Sequence, residues 1–378
     1  MTDLQQRVLY HSIQPTSIQQ VYTQQNTVDF LISVGEGRSL VPNSVRICGD
    51  MRILSDVADS DSVSTQGRAI DKNIGAHAFI DAVNTNFSSV GNIENLQNYP
   101  RYVNMDAVAS MTDLDMLNSI NACELRGVNQ AYMEDLCQGI TPALGTGTPV
   151  YADADFSIKP LCCLNKMSQD NNGLPMSKTG MIRLQLTLAR NADAVFGQLQ
   201  DLNTGYELRN LHATFKSVAD NNANEPITMG IVNSFKSNLL SGSATITTNA
   251  DAVADSVSMN FIPNKHESVN VFNSYKLENV KGITQVEYIF NSQTNSLITF
   301  PISDRTEMLE RFVDSMVNTS HNQVSLSTYT NNNTFCLGVP FDEPIDLRNN
   351  RFTLQIASSV DQNDPVNVFM YFHSRRGL

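Results

Sequence analysis

The sequence predicts an all-β chain of two antiparallel β-sandwich domains, with short helical insertions in loops. Three observations carry this expectation. Apolar residues alternate with polar ones along many short segments. Clusters of Gly, Asn, Asp and Pro separate those segments. The same pattern restarts near the middle of the chain.

Alternation with period two marks a strand with one buried face. Val28, Phe30, Ile32 and Val34 follow it, as do Val45, Ile47, Met51 and Ile53, with Arg46 and Arg52 on the opposite face. The clearest case places Ile182, Leu184, Leu186 and Leu188 against Arg183, Gln185 and Thr187. Later segments are Val286–Phe290, Phe352/Leu354/Ile356 and Val366/Val368/Met370/Phe372. Stretches such as "DNNGLP", "DNNANEP" and "SVDQNDP" supply turn chemistry between them. Many short strands joined by polar loops favour sandwiches over βαβ units.

Two stretches carry helical spacing instead. Met105, Val108, Met111, Leu114 and Leu117 recur at steps of three within Met105–Ile120. Within Ser303–Val317, Met308, Leu309, Phe312, Val313, Met316 and Val317 share one face, and Asp304 with Glu307 is spaced as a capping pair. Both read as excursions from loops of a β-fold, the second packing its apolar stripe on the second domain.

The expected organisation is an arm over 1–25, rich in Gln and without alternation, then domains over 26–200 and 201–378. The turn Asn203-Thr204-Gly205 marks the division, and the two cores are expected to be separate. Each domain has room for about eight strands of about six residues, the size of a jelly roll.

Composition narrows the function. With 25 Lys+Arg against 38 Asp+Glu, the net charge of −13 opposes direct nucleic-acid binding, which needs a basic face. Only 17% of the 378 residues are charged, while neutral polar residues abound. Such a surface suits tight packing against copies of itself, because desolvating amides costs less than desolvating charges. There is no apolar run of about 18 residues that would span a bilayer, and the first residues do not resemble a signal peptide. Without one, the N-x-S/T triplets at Asn86, Asn318 and Asn332 are read as chance.

No constellation of residues supports catalysis, and no catalytic, cofactor or metal site is assigned. Cys48, Cys123, Cys137, Cys162, Cys163 and Cys336 form no C-x-x-C and no zinc spacing with histidine. Vicinal Cys162 and Cys163 close a disulfide only with strain, and Leu161 and Leu164 beside them favour buried, reduced thiols over redox chemistry. The glycine-rich segments Gly35–Arg38 and Gly145–Pro149 lack a phosphate-loop pattern. His11, His77, His212, His266, His321 and His373 are scattered with no metal-binding pair. Asp113 and Asp115 stand two apart and do not share a helical face. Arg375-Arg376 is a small basic patch, either a solvated tail or a subunit contact.

The segment Phe156–Arg190 resembles a passage of the capsid proteins of the double-jelly-roll lineage of double-stranded DNA viruses, the adenovirus, tailless-phage, virophage and giant-virus group. Phe156-Ser157-Ile158 runs into Pro160, a loop follows, then Leu174-Pro175 and the alternating strand Ile182–Leu188. Ser39–Ile53, a proline-led loop entering a strand, is similar to the start of such a jelly roll, and "ITFPISDRTEMLERF" echoes it in the second half. The resemblance implies a structural, non-enzymatic subunit of an icosahedral shell, synthesised in the host cytoplasm and resident in the virion. It implies a homotrimer as the major capsomer, with neighbouring capsomers, minor capsid proteins or an internal membrane as partners. A vertex (penton) or minor capsid protein is the alternative. A β-sandwich carbohydrate-binding or adhesin-like module is the reading from another class, disfavoured by the absence of Trp. Phe156–Arg190 then becomes a connector between two strands of the first jelly roll, with its thiols buried.

Overall fold

The computed structural model describes residues 8–35, 37–55, 68–111, 123–126, 154–167, 173–197, 204–219, 226–240, 244–248, 253–280, 282–290, 301–316, 329, 334–348, 351–358 and 364–378. The first half contains β1 (Leu9–Ile13), β2 (Thr27–Ile32), β3 (Arg38–Leu40), β4 (Arg46–Ser55), β5 (Arg68–Ala69) and β6 (Ile80–Phe87). It continues with β7 (Gly91–Gln97), helix α1 (Tyr99–Ser110), β8 (Ala154–Ile158), β9 (Leu174–Pro175), β10 (Ile182–Leu188), β11 (Phe196–Gly197) and β12 (Thr204–Ala219). The second half contains β13 (Thr228–Leu239), β14 (Ala244–Thr248), β15 (Val253–Pro263) and β16 (Ile283–Phe290). Helix α2 (Arg305–Ser315), β17 (Leu337–Asp346), β18 (Phe352–Ser358) and β19 (Val366–Gly377) complete it.

Every strand pairing in these sheets is antiparallel, and the order repeats. In the first half one sheet runs β1-β12-β4-β8, with β3 and β9 prolonging it, and the other runs β2-β10-β6-β7. In the second half one sheet runs β13-β19-β15-β17 and the other β14-β18-β16. Beside β16, where β7 lies beside β6, Ile302 pairs with Val286 through both backbone groups. Each half therefore places its first and last strands side by side at one end of a sheet, the order of a jelly roll.

This order corrects the expected boundaries. β12 follows the expected division at 200/201, yet it pairs with β1 from Leu9↔Ser217 to Ile13↔Ala213 and with β4 from Thr204↔Ser55 to Thr214↔Arg46. It closes the first jelly roll as β19 closes the second. The expected arm over 1–25 is corrected likewise: Leu9–Ile13 is a strand of the first sheet, and Tyr22 is buried and paired with Leu208. Neither fact is visible locally, because the partner of β1 lies about 200 residues away in the chain.

The alternation fits the sheets residue by residue. In β4 the buried face is Ile47, Gly49, Met51 and Ile53, continued by Val45 just before the strand. Gly49 takes an inward position because a Cβ there would sit 2.8 Å from the Arg209 carbonyl oxygen and from Leu211. There β12 bulges between Arg209 and His212, with Asn210 at a positive φ of 51°. Helix α2 begins at Asp304, whose carboxylate accepts the N–H groups of Thr306 (2.6 Å) and Glu307 (3.2 Å). It buries Met308, Leu309, Phe312 and Met316 and packs on β17 and β15. Helix α1 starts before the expected Met105, with Pro100 in its first turn, and ends at Ser110; the expected continuation beyond 111 lies outside the described residues. Both helices occupy the same connection, between the fifth and sixth strand positions of their jelly roll. The buried side chains of the two halves form one continuous cluster, so the cores expected to be separate are joined.

Candidate functional site: the seam between the two jelly rolls

The feature that most distinguishes this molecule from two independent sandwiches is the seam between its halves. The edge strand β13 of the second jelly roll abuts β7 and the segment 163–167 of the first. Edge strands expose unpaired N–H groups that need partners when covered. Gly230 N–H donates to the Lys166 carbonyl (2.8 Å) and Val232 N–H to Glu94 Oε1 (2.9 Å). Gln97 N–H donates in return to Ser234 Oγ (2.8 Å). The second oxygen of Glu94 accepts the Cys163 N–H at 2.7 Å. One carboxylate, 1% exposed, thus joins a loop of the first half to a strand of the second. Burial raises its pKa, against the opposing pull of Lys166 and the two N–H donors.

Helix α1 supplies the rest of the seam. Arg101 is buried with its guanidinium 4.3 Å from the centre of the Phe369 ring. Tyr102 lies against Tyr371 (5.4 Å) and His373 (5.7 Å) and bonds Lys166 through its hydroxyl. Tyr371 donates to the Asn98 carbonyl (2.9 Å), and Asn104 to that of Tyr275 (2.7 Å). Asp71 accepts from Asn273 at 2.6 Å, and Ser268 bonds Asp193 through N–H and hydroxyl. The side chains of β19 from Val366 to His373 are consequently buried on both faces, one against its own sandwich and one at the seam.

A second buried polar cluster lies within the first half. Glu124 accepts from Arg126 Nε (2.9 Å) and from the Lys159 N–H (2.9 Å), and its Oε2 lies 3.2 Å from His77 Nε2. His77 Nδ1 lies 2.7 Å from the Tyr99 hydroxyl, which accepts the Leu161 N–H at 3.0 Å. A neutral ring protonated at Nε2 donates to Glu124 and accepts from Tyr99, whereas one protonated at Nδ1 donates to Tyr99 and accepts from Arg126 Nη2 at 3.1 Å. Burial and then the Arg126 charge push His77 below its ordinary value, so it stays neutral. Burial alone would raise Glu124; its interactions with His77, then the Arg126 charge and the Lys159 N–H, outweigh that and hold it down at about 2. Arg126 and Arg46 face the same carboxylate at 2.9 and 3.8 Å.

The other sequence candidates are dispersed. Cys162 and Cys163 are fully buried free thiols, and burial pushes Cys162 up to about 12 and Cys163 well above its ordinary value. His373 pairs with Ser258 Oγ at 2.9 Å in the interior, where burial pushes it down to about 3. His11 stacks on Phe215, His212 bonds the Asn210 carbonyl, and His266 stacks on the exposed Phe272. Arg375 faces Asp255 at 3.7 Å. Asn86 lies on β6. Gly145–Pro149, Asp113, Asp115, Cys137, His321, Asn318 and Asn332 lie outside the described residues. Sequence reasoning missed Glu94, Lys166, Glu124 and Arg126. Glu94, Glu124 and Arg126 are charged residues with no local pattern that marks them as buried, and Lys166 is a half-buried cation whose partner Tyr102 comes from helix α1.

No family model and no curated relative matches the sequence. Solved structures do. The chain is similar to a protein in the structure of the Sputnik virophage, with a TM-score of 0.59 and 10% identity, covering 99% of this chain and 88% of that one. It is similar to VP54 of PBCV-1, fitted into a reconstruction of Sputnik, at TM-score 0.57 and 11% identity over 99% and 95% of the two chains. It is similar to the Faustovirus major capsid protein at TM-score 0.56 and 8% identity over 98% and 90%. The fold is a double jelly roll. Identities this low speak for the fold, which spans nearly the whole chain and carries the duplicated strand order described above.

Proposed function

We propose that the chain is a structural subunit of an icosahedral virus shell, assembling as a trimeric capsomer. The observation that carries this reading is the duplicated jelly roll with its built-in seam. Two similar wedges held rigidly in one chain give six wedges in a trimer, a shape that tiles a shell. The likeness to the Faustovirus major capsid protein supports it. Neither buried polar cluster offers an open reaction site, so both serve to hold shape.

On this reading the protein resides in the virion after synthesis in the host cytoplasm. Its partners are copies of itself, neighbouring capsomers and minor capsid proteins, with an internal membrane as a further contact. Its acidic balance opposes direct genome binding. We place the division between domains at 220–226, after β12, rather than at 200/201. Sedimentation or light scattering of the purified chain tests the proposal: three chain masses are expected. A monomer at micromolar concentration overturns the capsomer, and a pentamer favours a vertex protein.

A further inference from the structure

Helix α1 and β8 are joined by residues 111–153, of which Met111 and 123–126 are described. Glu124, Leu125 and Arg126 are buried, at 4%, 6% and 3% exposure, while Cys123 beside them is exposed. The chain dips into the first jelly roll for these three residues. We propose that the tripeptide is an acid-released latch, pinning the α1–β8 connection to the sandwich at neutral pH and letting it go in acid while the sheets stay folded. This goes beyond the shell-subunit reading and does not depend on it.

Three observations support it. First, the seat is tight and strained. The Glu124 carbonyl accepts the Ala76 N–H at 2.8 Å. The backbone then passes so close to Gly75 that a Cβ there would lie 2.2 Å from that carbonyl oxygen and 2.7 Å from the Arg126 nitrogen. Leu125 holds a positive φ of 58°, a region that costs energy for a residue with a Cβ. Second, the side-chain bonds that keep the segment seated converge on one carboxylate. Glu124 Oε1 accepts the Lys159 N–H, and Oε2 accepts Arg126 Nε and lies 3.2 Å from His77 Nε2. Arg126 Nη1, aligned by that pairing, reaches the Asn73 carbonyl and the Met111 sulfur, each at 3.3 Å.

Third, the surroundings oppose a proton on either partner. A second proton on His77 puts a positive ring 3.1 Å from Arg126 Nη2. A proton on Glu124 removes the charge facing Arg126 and Arg46. The other titratable groups around the pair are Tyr99 and Asp106 of α1 and Lys159 after β8. Burial and then Arg126 lower His77 from 6.5, so the seated state loses ground as pH falls below that value. Burial would raise Glu124, but His77, Arg126 and the Lys159 N–H hold it at about 2, so a second loss begins below 4.5. Asp106, raised by burial, acts with the opposite sign, and replacing His77 separates the two.

Hydrogen exchange of the full chain, read by mass spectrometry at several pH values and corrected for intrinsic rates, tests the latch. The Ala76 and Lys159 amides, which bond Glu124, should lose protection by up to about tenfold per pH unit below 6.5. Amides of β10 and β19 should keep theirs over the same range. His77→Gln, which keeps a donor and an acceptor without titrating, should flatten the dependence between 6.5 and 4.5. Folding of the variant is checked by circular dichroism, and the wild-type series is a test without it. Equal loss at β10 and at Lys159 means that the whole jelly roll opens and overturns the latch. Protection at Lys159 that is unchanged down to pH 4.5, or a pH dependence that persists in folded His77→Gln, overturns it as well.

Discussion

The two jelly rolls share a strand order but fill their interiors differently. Among the described residues, every buried Asp, Glu or Arg lies in the first: Asp71, Glu94, Arg101, Glu124 and Arg126. The second buries only hydroxyl and amide side chains and His373. Its interior is aromatic, with Phe290, Phe352 and Phe372 in a connected set and Phe261, Phe335 and Tyr329 in another. The difference teaches where the fold needs specificity. The first jelly roll must hold a covering face against its neighbour, and directional charged hydrogen bonds fix that face. The second presents an edge and a strand, β19, and apolar packing suffices behind them.

Breaking one interior at a time tests this contrast. Glu124→Ala should cost about 3–5 kcal/mol, because it leaves Arg126 charged and unpaired in the interior. Phe312→Ala should cost a similar 3–5 kcal/mol by opening a cavity between α2 and β17. Chemical denaturation measures both. The comparison sharpens with pH. Glu124 has a depressed folded-state value, so its stabilisation is present above about 4.5 and is lost as pH falls toward about 2. Lowered His77 acts in the same direction below its ordinary 6.5. Acid should therefore weaken the first jelly roll, and the Glu124→Ala variant should lose much of that dependence. Phe312→Ala should destabilise by the same amount at pH 7 and pH 4.

Smaller effects are expected at the seam. Glu94→Gln retains one acceptor oxygen and strands one of two N–H groups, for about 1–3 kcal/mol. The raised value of Glu94 gives it the opposite pH sign to Glu124: its contribution is present in acid and declines as pH rises through the folded value. Hydrogen exchange at Cys163 and Val232, compared between wild type and variant, locates the effect. Replacing Cys162 and Cys163 with Ala should cost about 1–3 kcal/mol per site and leave assembly intact. In the native state neither thiol should react with a thiol reagent, while exposed Cys123 should. Rapid modification of Cys162 would contradict its burial.

Much of this architecture is written in local alternation. β2, β10, β16, β18 and the buried face of β4 follow from residues two apart. Helix α2 follows from its stripe and from Asp304. Long-range closure is not written there. The turn at Asn203–Gly205 looks like a new beginning, yet β12 returns to β1, a pairing settled by the whole sandwich. Helix α1 is buried on nearly all sides, so no single apolar stripe marks its start. Glu94 and Glu124 look like ordinary surface carboxylates, since the groups that bury them come from β13 and from the loop carrying His77. β19 did carry a hint: its run from Val366 to Phe372 is almost wholly apolar, as a strand covered on both faces requires.

Electron cryo-microscopy of the purified assembly tests the central claim most directly, that one chain supplies two wedges to a closed ring of six. The account predicts a three-fold particle with a nearly hexagonal outline, two of its six wedges supplied by each chain and joined at the internal seam along β13. A ring of five, or particles of a single chain, would contradict it.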